Sequence, residues 1–367
     1  MVDRRTFLSG MAGLGAATLI GCSEDEQPSP RPSPTSLPTA DPTDPTEEPL
    51  NPRVTRTIAS GLNVPWGIVF LANGDALVAQ RDAGSIVRVT PGGRVSTVGK
   101  VRGSVGGGEG GLLGLALDPD DDSILFAYVT TSEDDRVVRL ELDAGRLGTM
   151  TPILTGIPAG AVHHGGRMLF DPDGHLFVAT GEAGNSAEAQ KKDSLGGKVL
   201  RIDRNGDAVD GNPFGNRTWS YGNRNIEGLA FDADGRLWAS EFGANRFDEL
   251  NLIERGRNYG WPKYEGRSDE DGFVTPKVTW RTNECSPSGL AITRSTAFVA
   301  ALQGECLFAV PLDGTNAGKP RALFKGKYGR IRTVEVAPDE SLWVTTSNTD
   351  GRGNPARNDD RILRVTL

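Results

Sequence analysis

The stretch Gly160–Phe170, GAVHHGGRMLF, sets His163 and His164 side by side among glycines; His175 is the third histidine of the 367 residues. Imidazole suits proton transfer near neutral pH, provided that a neighbour fixes its tautomer. Glu182, in TGEAGN, is the expected neighbour of His163. Arginines stand at comparable places: Arg224 beside Asn225 in YGNRNIEG, and Arg330 with Arg332 in GRIRTV. Further candidates are Glu109 in GGEGGLLG, Gln303, and the run EFGANRFDE, which holds Gly243, Ala244, Asp248 and Glu249. Gathered round one pocket, an imidazole, several carboxylates and three separate guanidiniums would form an anionic-ligand site with an acid/base group.

Such a gathering needs elements that deliver distant residues to one place. From residue 51 onward one unit recurs: an Asp/Asn/Gly-type turn, then an alternating apolar strand ending in a small residue. The copies are NGDALVA, DDSILFA, DGHLFVA, DGRLWAS, RSTAFVA and DESLWVT, spaced by 48, 52, 61, 60 and 45 residues. Each is preceded by an apolar strand such as LGLALDP and followed by another such as KVLRID. Six such units predict an all-β, six-bladed β-propeller over residues 51–367. The strand RVTRTIA from Arg53 has no blade of its own and is expected to pair with the C-terminal RILRVTL, closing the ring. The 48 glycines read as tight turns. In a blade the innermost strand starts at one mouth of the channel and the second strand returns there. Residues entering innermost strands and residues leaving second strands therefore converge, and the candidates above occupy those positions.

Residues 1–21 carry the pair Arg4-Arg5, Phe7-Leu8 and a weakly apolar stretch ending Leu19-Ile20-Gly21 before Cys22. This resembles a twin-arginine export signal with a lipoprotein cleavage box, so Cys22 is expected to carry lipid and hold the chain at the outer face of the cytoplasmic membrane. Residues 22–50 are rich in Pro, Thr and Ser and read as a disordered tether. The net charge of −8 argues against nucleic acid as a partner, and a monomer is the simpler expectation.

The segments VPWGIVFLANG, GEGGLLGLALDPD, HHGGRMLFDPDG, SLGGKVLRID, YGNRNIEGLAFDADGRLWASEFG, DELNLIERGRNYGWP, SPSGLA and GRIRTVEVAPD occur in this order. Together they resemble the soluble quinoprotein glucose/sorbosone dehydrogenase family, the PQQ-dependent aldose sugar dehydrogenases, over nearly everything from residue 51 onward. The resemblance implies a propeller that holds pyrroloquinoline quinone (PQQ) and Ca²⁺, oxidises an aldose at its anomeric carbon to the lactone, and passes electrons to an acceptor of unassigned identity. It implies that His163 is the general base, that Arg224 polarises a quinone oxygen and that Asn225 hydrogen-bonds the cofactor. Arg330 and Arg332 would face the PQQ carboxylates and quinone edge, and Asp248 would be a cofactor-site carboxylate. The backbone carbonyls of Gly243 and Ala244 would coordinate the cofactor Ca²⁺, and Glu249 and Tyr259 a second, structural Ca²⁺. The chemistry agrees: guanidinium forks suit planar carboxylates, and Ca²⁺ takes oxygen ligands.

The chain departs from the family pattern at four places. Glu182 stands for an Asp, Glu109 for a Gln, Gln303 for a lysine that contacts PQQ, and Glu284 for a small hydroxyl residue. Two other functions stay open on the residues alone: a Ca²⁺-dependent lactone hydrolase, and a non-catalytic sugar- or partner-binding propeller. His164 is expected to point away from its neighbour, and His175 to sit in a solvent-facing turn. Trp66 and Trp261 read as packing residues. For Cys285 and Cys306 a disulfide and two free thiols are equally open.

Overall fold

The computed structural model describes residues 50–367; the expected export segment, Cys22 and nearly all of the tether lie outside the described residues. Six antiparallel sheets follow one another along the chain. Their innermost strands are Pro65–Phe70, Leu112–Asp118, Gly165–Phe170, Ile226–Phe231, Pro287–Thr293 and Ile331–Val336, which define blades 1 to 6. In each blade the later strands pair outward in sequence order. Blade 6 is completed from the other end of the chain. Arg53–Ala59 pairs antiparallel with Ile362–Thr366, with Arg53 opposite Thr366, and this closes the ring as the sequence predicted.

The core lies between blades, because each strand alternates its side chains between the sheet's two faces and each face meets a neighbouring sheet. Trp66, Leu113, Phe126, Tyr128, Met168 and Val178 weld blades 1 to 3. Trp238, Trp280, Leu290 and Phe308 do the same for blades 4 and 5. Each such large side chain, buried, contributes about 1.5–3 kcal/mol. Trp66 is a packing residue, with the Arg167 guanidinium stacked 4.2 Å from its ring centroid.

Glycine has a second role beyond turns. A Cβ at Gly67 would lie 2.6 Å from the Leu113 carbonyl oxygen in the next blade, and one at Gly114 would collide with the Gly166 carbonyl. The innermost strands thus cross backbone against backbone, which draws the mouth loops together. In blade 6 Thr333 takes the corresponding place, its hydroxyl donating to the Trp66 carbonyl. Cys285 and Cys306 are both buried and free. Among the described residues the one helical element is a single turn, Ser186–Gln190, and no helix is long and apolar enough to cross a membrane.

Candidate active site

Three chain segments are laced together at one mouth of the channel. The loop into blade 3 ends with His163 and His164, the loop leaving that blade's second strand begins at Gly181, and the loop into blade 4 holds Arg224 and Asn225. The Ala183 N–H donates to the His163 carbonyl at 3.1 Å and the Glu182 N–H to the Arg224 carbonyl at 3.0 Å. The Gly165 N–H donates to Asn225 Oδ1 at 2.8 Å. Gly181 is where they meet: a Cβ there would collide with the His163 carbonyl and lie 2.9 Å from Asn225 Oδ1. His163 itself has φ +60, a left-handed conformation that a non-glycine residue keeps only where its surroundings impose it.

His163 Nδ1 lies 2.8 Å from Glu182 Oε1. The imidazole side chain keeps some access to solvent while the carboxylate is almost fully buried. A carboxylate accepts, so it holds the proton on Nδ1 and leaves the lone pair on Nε2. Glu182 Oε2 is buried and has no hydrogen-bond partner in the protein. Glu109 supports the backbone: its Oε2 accepts the His163 N–H at 2.8 Å, and its Oε1 accepts from Arg352 at 2.9 Å. Burial would raise the Glu109 pKa, but the His163 N–H and the Arg352 guanidinium more than offset that and hold it below the ordinary value.

Arg224 enters beside this pair without a carboxylate of its own. Its backbone N–H is fixed by Glu241 Oε1 at 2.6 Å, its guanidinium carbon lies 5.4 Å from the Trp261 ring centroid, and its Nε is buried and unpartnered. Burial lowers its pKa against the opposing pull of Glu182, Glu109, Glu241 and Glu265. Arg330 and Arg332 arrive from blade 6 and share one carboxylate, Asp350, at 3.0 and 3.4 Å. Arg332 also donates to Glu227 at 2.9 Å and to the Ser347 hydroxyl at 3.0 Å. Asp350 Oδ1 accepts the Arg352 N–H at 2.9 Å. A continuous chain of polar contacts therefore runs Glu182–His163–Glu109–Arg352–Asp350–Arg330/Arg332, around one mouth.

The run after blade 4's second strand completes the rim. Asp248 accepts from the Gly243 N–H at 2.9 Å and from the Ser286 N–H at 2.7 Å, tying blade 4 to blade 5. Burial pushes its carboxyl up to about 6, against those two hydrogen bonds. No backbone N–H among the described residues donates to the carbonyls of Gly243 or Ala244. Glu249 is engaged by the Gly266 N–H and by Asn251, and the Tyr259 hydroxyl sits between the Leu252 carbonyl and the Glu254 N–H. Burial, and the charge of Glu241, push Glu249 well above the carboxylate range.

The expected pairing of His163 with Glu182 is present, Asn225 is hydrogen-bonded to the His163 loop, and Arg330 and Arg332 are tied to that loop through Asp350, Arg352 and Glu109. Gln303 is exposed, and Glu284, also exposed, accepts the Arg281 N–H within its own turn. His164 points away, as expected, into a buried contact with Asp135. Four participants escaped the sequence reading: Asp350 and Arg352, in the loop after blade 6's second strand, Glu227 and Glu265. The rule that found Glu182 would have found the first two.

With this geometry in place, comparison with known proteins becomes decisive: the sequence model described as Glucose / Sorbosone dehydrogenase matches residues 62–363. The chain belongs to the glucose/sorbosone dehydrogenase family. Among solved structures of this kind, the PQQ-bound aldose sugar dehydrogenase of Streptomyces coelicolor superposes with a TM-score of 0.84 at 47% identity, over 86% of this chain and 97% of that one. The aldose sugar dehydrogenase YliI of Escherichia coli is 28% identical over 79% of this chain and 89% of its own. Quinoprotein glucose dehydrogenase B of Acinetobacter calcoaceticus is 31% identical over 62% of this chain and 56% of its own. Membership of the glucose/sorbosone dehydrogenase family makes a sugar-oxidising oxidoreductase the class into which the mouth residues must fit.

Proposed function

We propose that the chain is a PQQ- and Ca²⁺-dependent dehydrogenase that oxidises an aldose at C1 to the lactone. The observation that carries this reading is the juxtaposition of the His163–Glu182 pair with Arg224, a half-buried guanidinium whose Nε is buried and has no protein partner. The donor set fits the cofactor. Arg330 and Arg332 offer guanidiniums to a molecule with three carboxylates. The unused carbonyls of Gly243 and Ala244, next to Asp248, offer the hard oxygens that Ca²⁺ takes.

When bound, PQQ supplies the two-electron acceptor for the hydride that leaves the sugar's C1. Each remaining task falls to a residue of the chain. His163 Nε2 takes the proton of the C1 hydroxyl, so that the carbon–oxygen double bond of the lactone forms as the hydride departs. Glu182 keeps the proton on Nδ1 and stabilises the imidazolium that results. Arg224 donates to the oxygen on which negative charge develops, and its partial burial strengthens that interaction. Asn225 holds the Gly165 N–H and thereby the approach of the His163 loop.

Rate measurement after adding PQQ and Ca²⁺ to the purified protein, with an artificial dye as acceptor and a panel of aldoses, tests the reading. Sugar-dependent dye reduction that requires both additions is expected. Binding of a sugar with no dye reduction and no PQQ uptake would favour the non-catalytic propeller instead. Export and lipid anchoring at Cys22 belong to the same proposal, and Cys22→Ser is expected to release the protein from the membrane fraction.

A further inference from the structure

Glu265 lies in the long loop between blade 4's third and fourth strands, Phe247–Ile253 and Val278–Arg281. Its Oε1 accepts four consecutive backbone N–H groups: Ala244 at 2.9 Å, Asn245 at 2.9 Å, Arg246 at 2.6 Å and Phe247 at 2.9 Å. One carboxylate oxygen thus fills an anion-binding nest of the main chain. Gly243 opens this nest because nothing larger fits; a Cβ there would lie 2.7 Å from Glu265 Oε1 and collide with the Phe247 carbonyl. The next residue is fixed as well, the Gly266 N–H donating to Glu249 Oε1 at 2.7 Å.

The peptide bonds of residues 243–247 are trans, and in a trans peptide the C=O of one residue points opposite to the N–H of the next. The N–H groups of Ala244 and Asn245 are aimed at Glu265. The carbonyls of Gly243 and Ala244 are therefore aimed away from it, and no backbone N–H among the described residues takes them up. We propose that Glu265 is the positioning residue of the cofactor's cation: by clamping the N–H side of this loop it presents two carbonyl oxygens, side by side, to Ca²⁺. The inference rests on reading Gly243 and Ala244 as the Ca²⁺ pair.

Calorimetric titration of Ca²⁺ into the purified, chelator-treated chain in the presence of PQQ tests this, with melting in chelator as the check on folding. Wild-type protein is expected to bind. Glu265→Ala is expected to weaken Ca²⁺ about 10- to 100-fold, the usual cost of losing an outer support of a metal site. Glu265→Gln, whose amide oxygen can accept the same four N–H groups, should stay within roughly threefold of wild type. Should the alanine variant fail to fold, Glu265→Asp, too short to reach all four donors, is expected to lose affinity in between. Wild-type affinity in the folded alanine variant, or in the aspartate variant, would overturn the inference, as would a glutamine variant as weak as alanine, since charge and not the clamp would then matter. A wild-type protein that binds no Ca²⁺ would instead overturn the carbonyl-pair reading beneath it.

Discussion

His163 Nδ1 stands 2.8 Å from Glu182 Oε1, although the two residues enter the mouth on different loops of blade 3. The contact leaves Nε2 as the basic nitrogen of the ring. His163→Ala should lower kcat about 10²- to 10⁴-fold, the usual share of a general base, with PQQ affinity largely kept. Glu182→Ala should cost at least about tenfold in kcat, or 1.4 kcal/mol, because the imidazole loses its fixed tautomer. Stopped-flow turnover and a PQQ titration on each variant check both. Unchanged turnover in the histidine variant would remove its assignment as base.

Gly181 lies where the His163 carbonyl and Asn225 Oδ1 converge. Gly181→Ala should therefore push the His163 loop outward, costing about 1–3 kcal/mol of stability as overpacking does. Its kcat should fall more than its thermal stability alone explains at temperatures where the variant is folded. Denaturant melts and steady-state kinetics together distinguish this from a neutral substitution.

At Gln303 the exposed side chain stands where the family resemblance places a lysine. Gln303→Lys should tighten PQQ binding by about 0.2–1 kcal/mol, up to roughly fivefold, the scale of an exposed ion pair. The gain should shrink as salt rises. Fluorescence titration at two ionic strengths reads both effects, and a loss of affinity on adding the cation would contradict the placement.

Away from the site, the C-terminal halves of the innermost strands line a cavity of about 370 Å³, to whose wall Glu335 and Arg167 both contribute. Burial pushes Glu335 up to about 7 from an ordinary value of 4.5, Arg167 being the opposing influence. Below pH 4.5 both folded and unfolded chains hold the proton and no difference arises. Between 4.5 and about 7 the unfolded chain releases it first, so stability falls as pH rises and then levels off. Glu335→Gln should thus leave Tm unchanged near pH 4 and raise it by roughly 2–4 °C at pH 8. Calorimetric scans across that range check the sign.

Much of this was legible before the structure. The period of the apolar strands marked the blades, and their end-to-end alternation placed His163, Glu182, Arg224 and the Arg330/Arg332 pair at one mouth. Glu265 was not legible: it follows a third strand, whose end belongs at the far mouth, and only a long loop carries it back. Glu227, which receives Arg332 from inside a strand, was hidden in an apolar run. The glycine excess was read as turns, whereas Gly67 and Gly114 serve the contact between blades. Such contacts join residues whose spacing carries no periodic signal.

The most direct test of the shared mouth is a crystal structure of the chain grown with PQQ and Ca²⁺. One PQQ is expected between the Arg330/Arg332 pair and Arg224, with His163 Nε2 facing the open side of its quinone edge and a cation against the carbonyls of Gly243 and Ala244. PQQ density elsewhere on the propeller, or a His163 ring turned away from the bound cofactor, would contradict it.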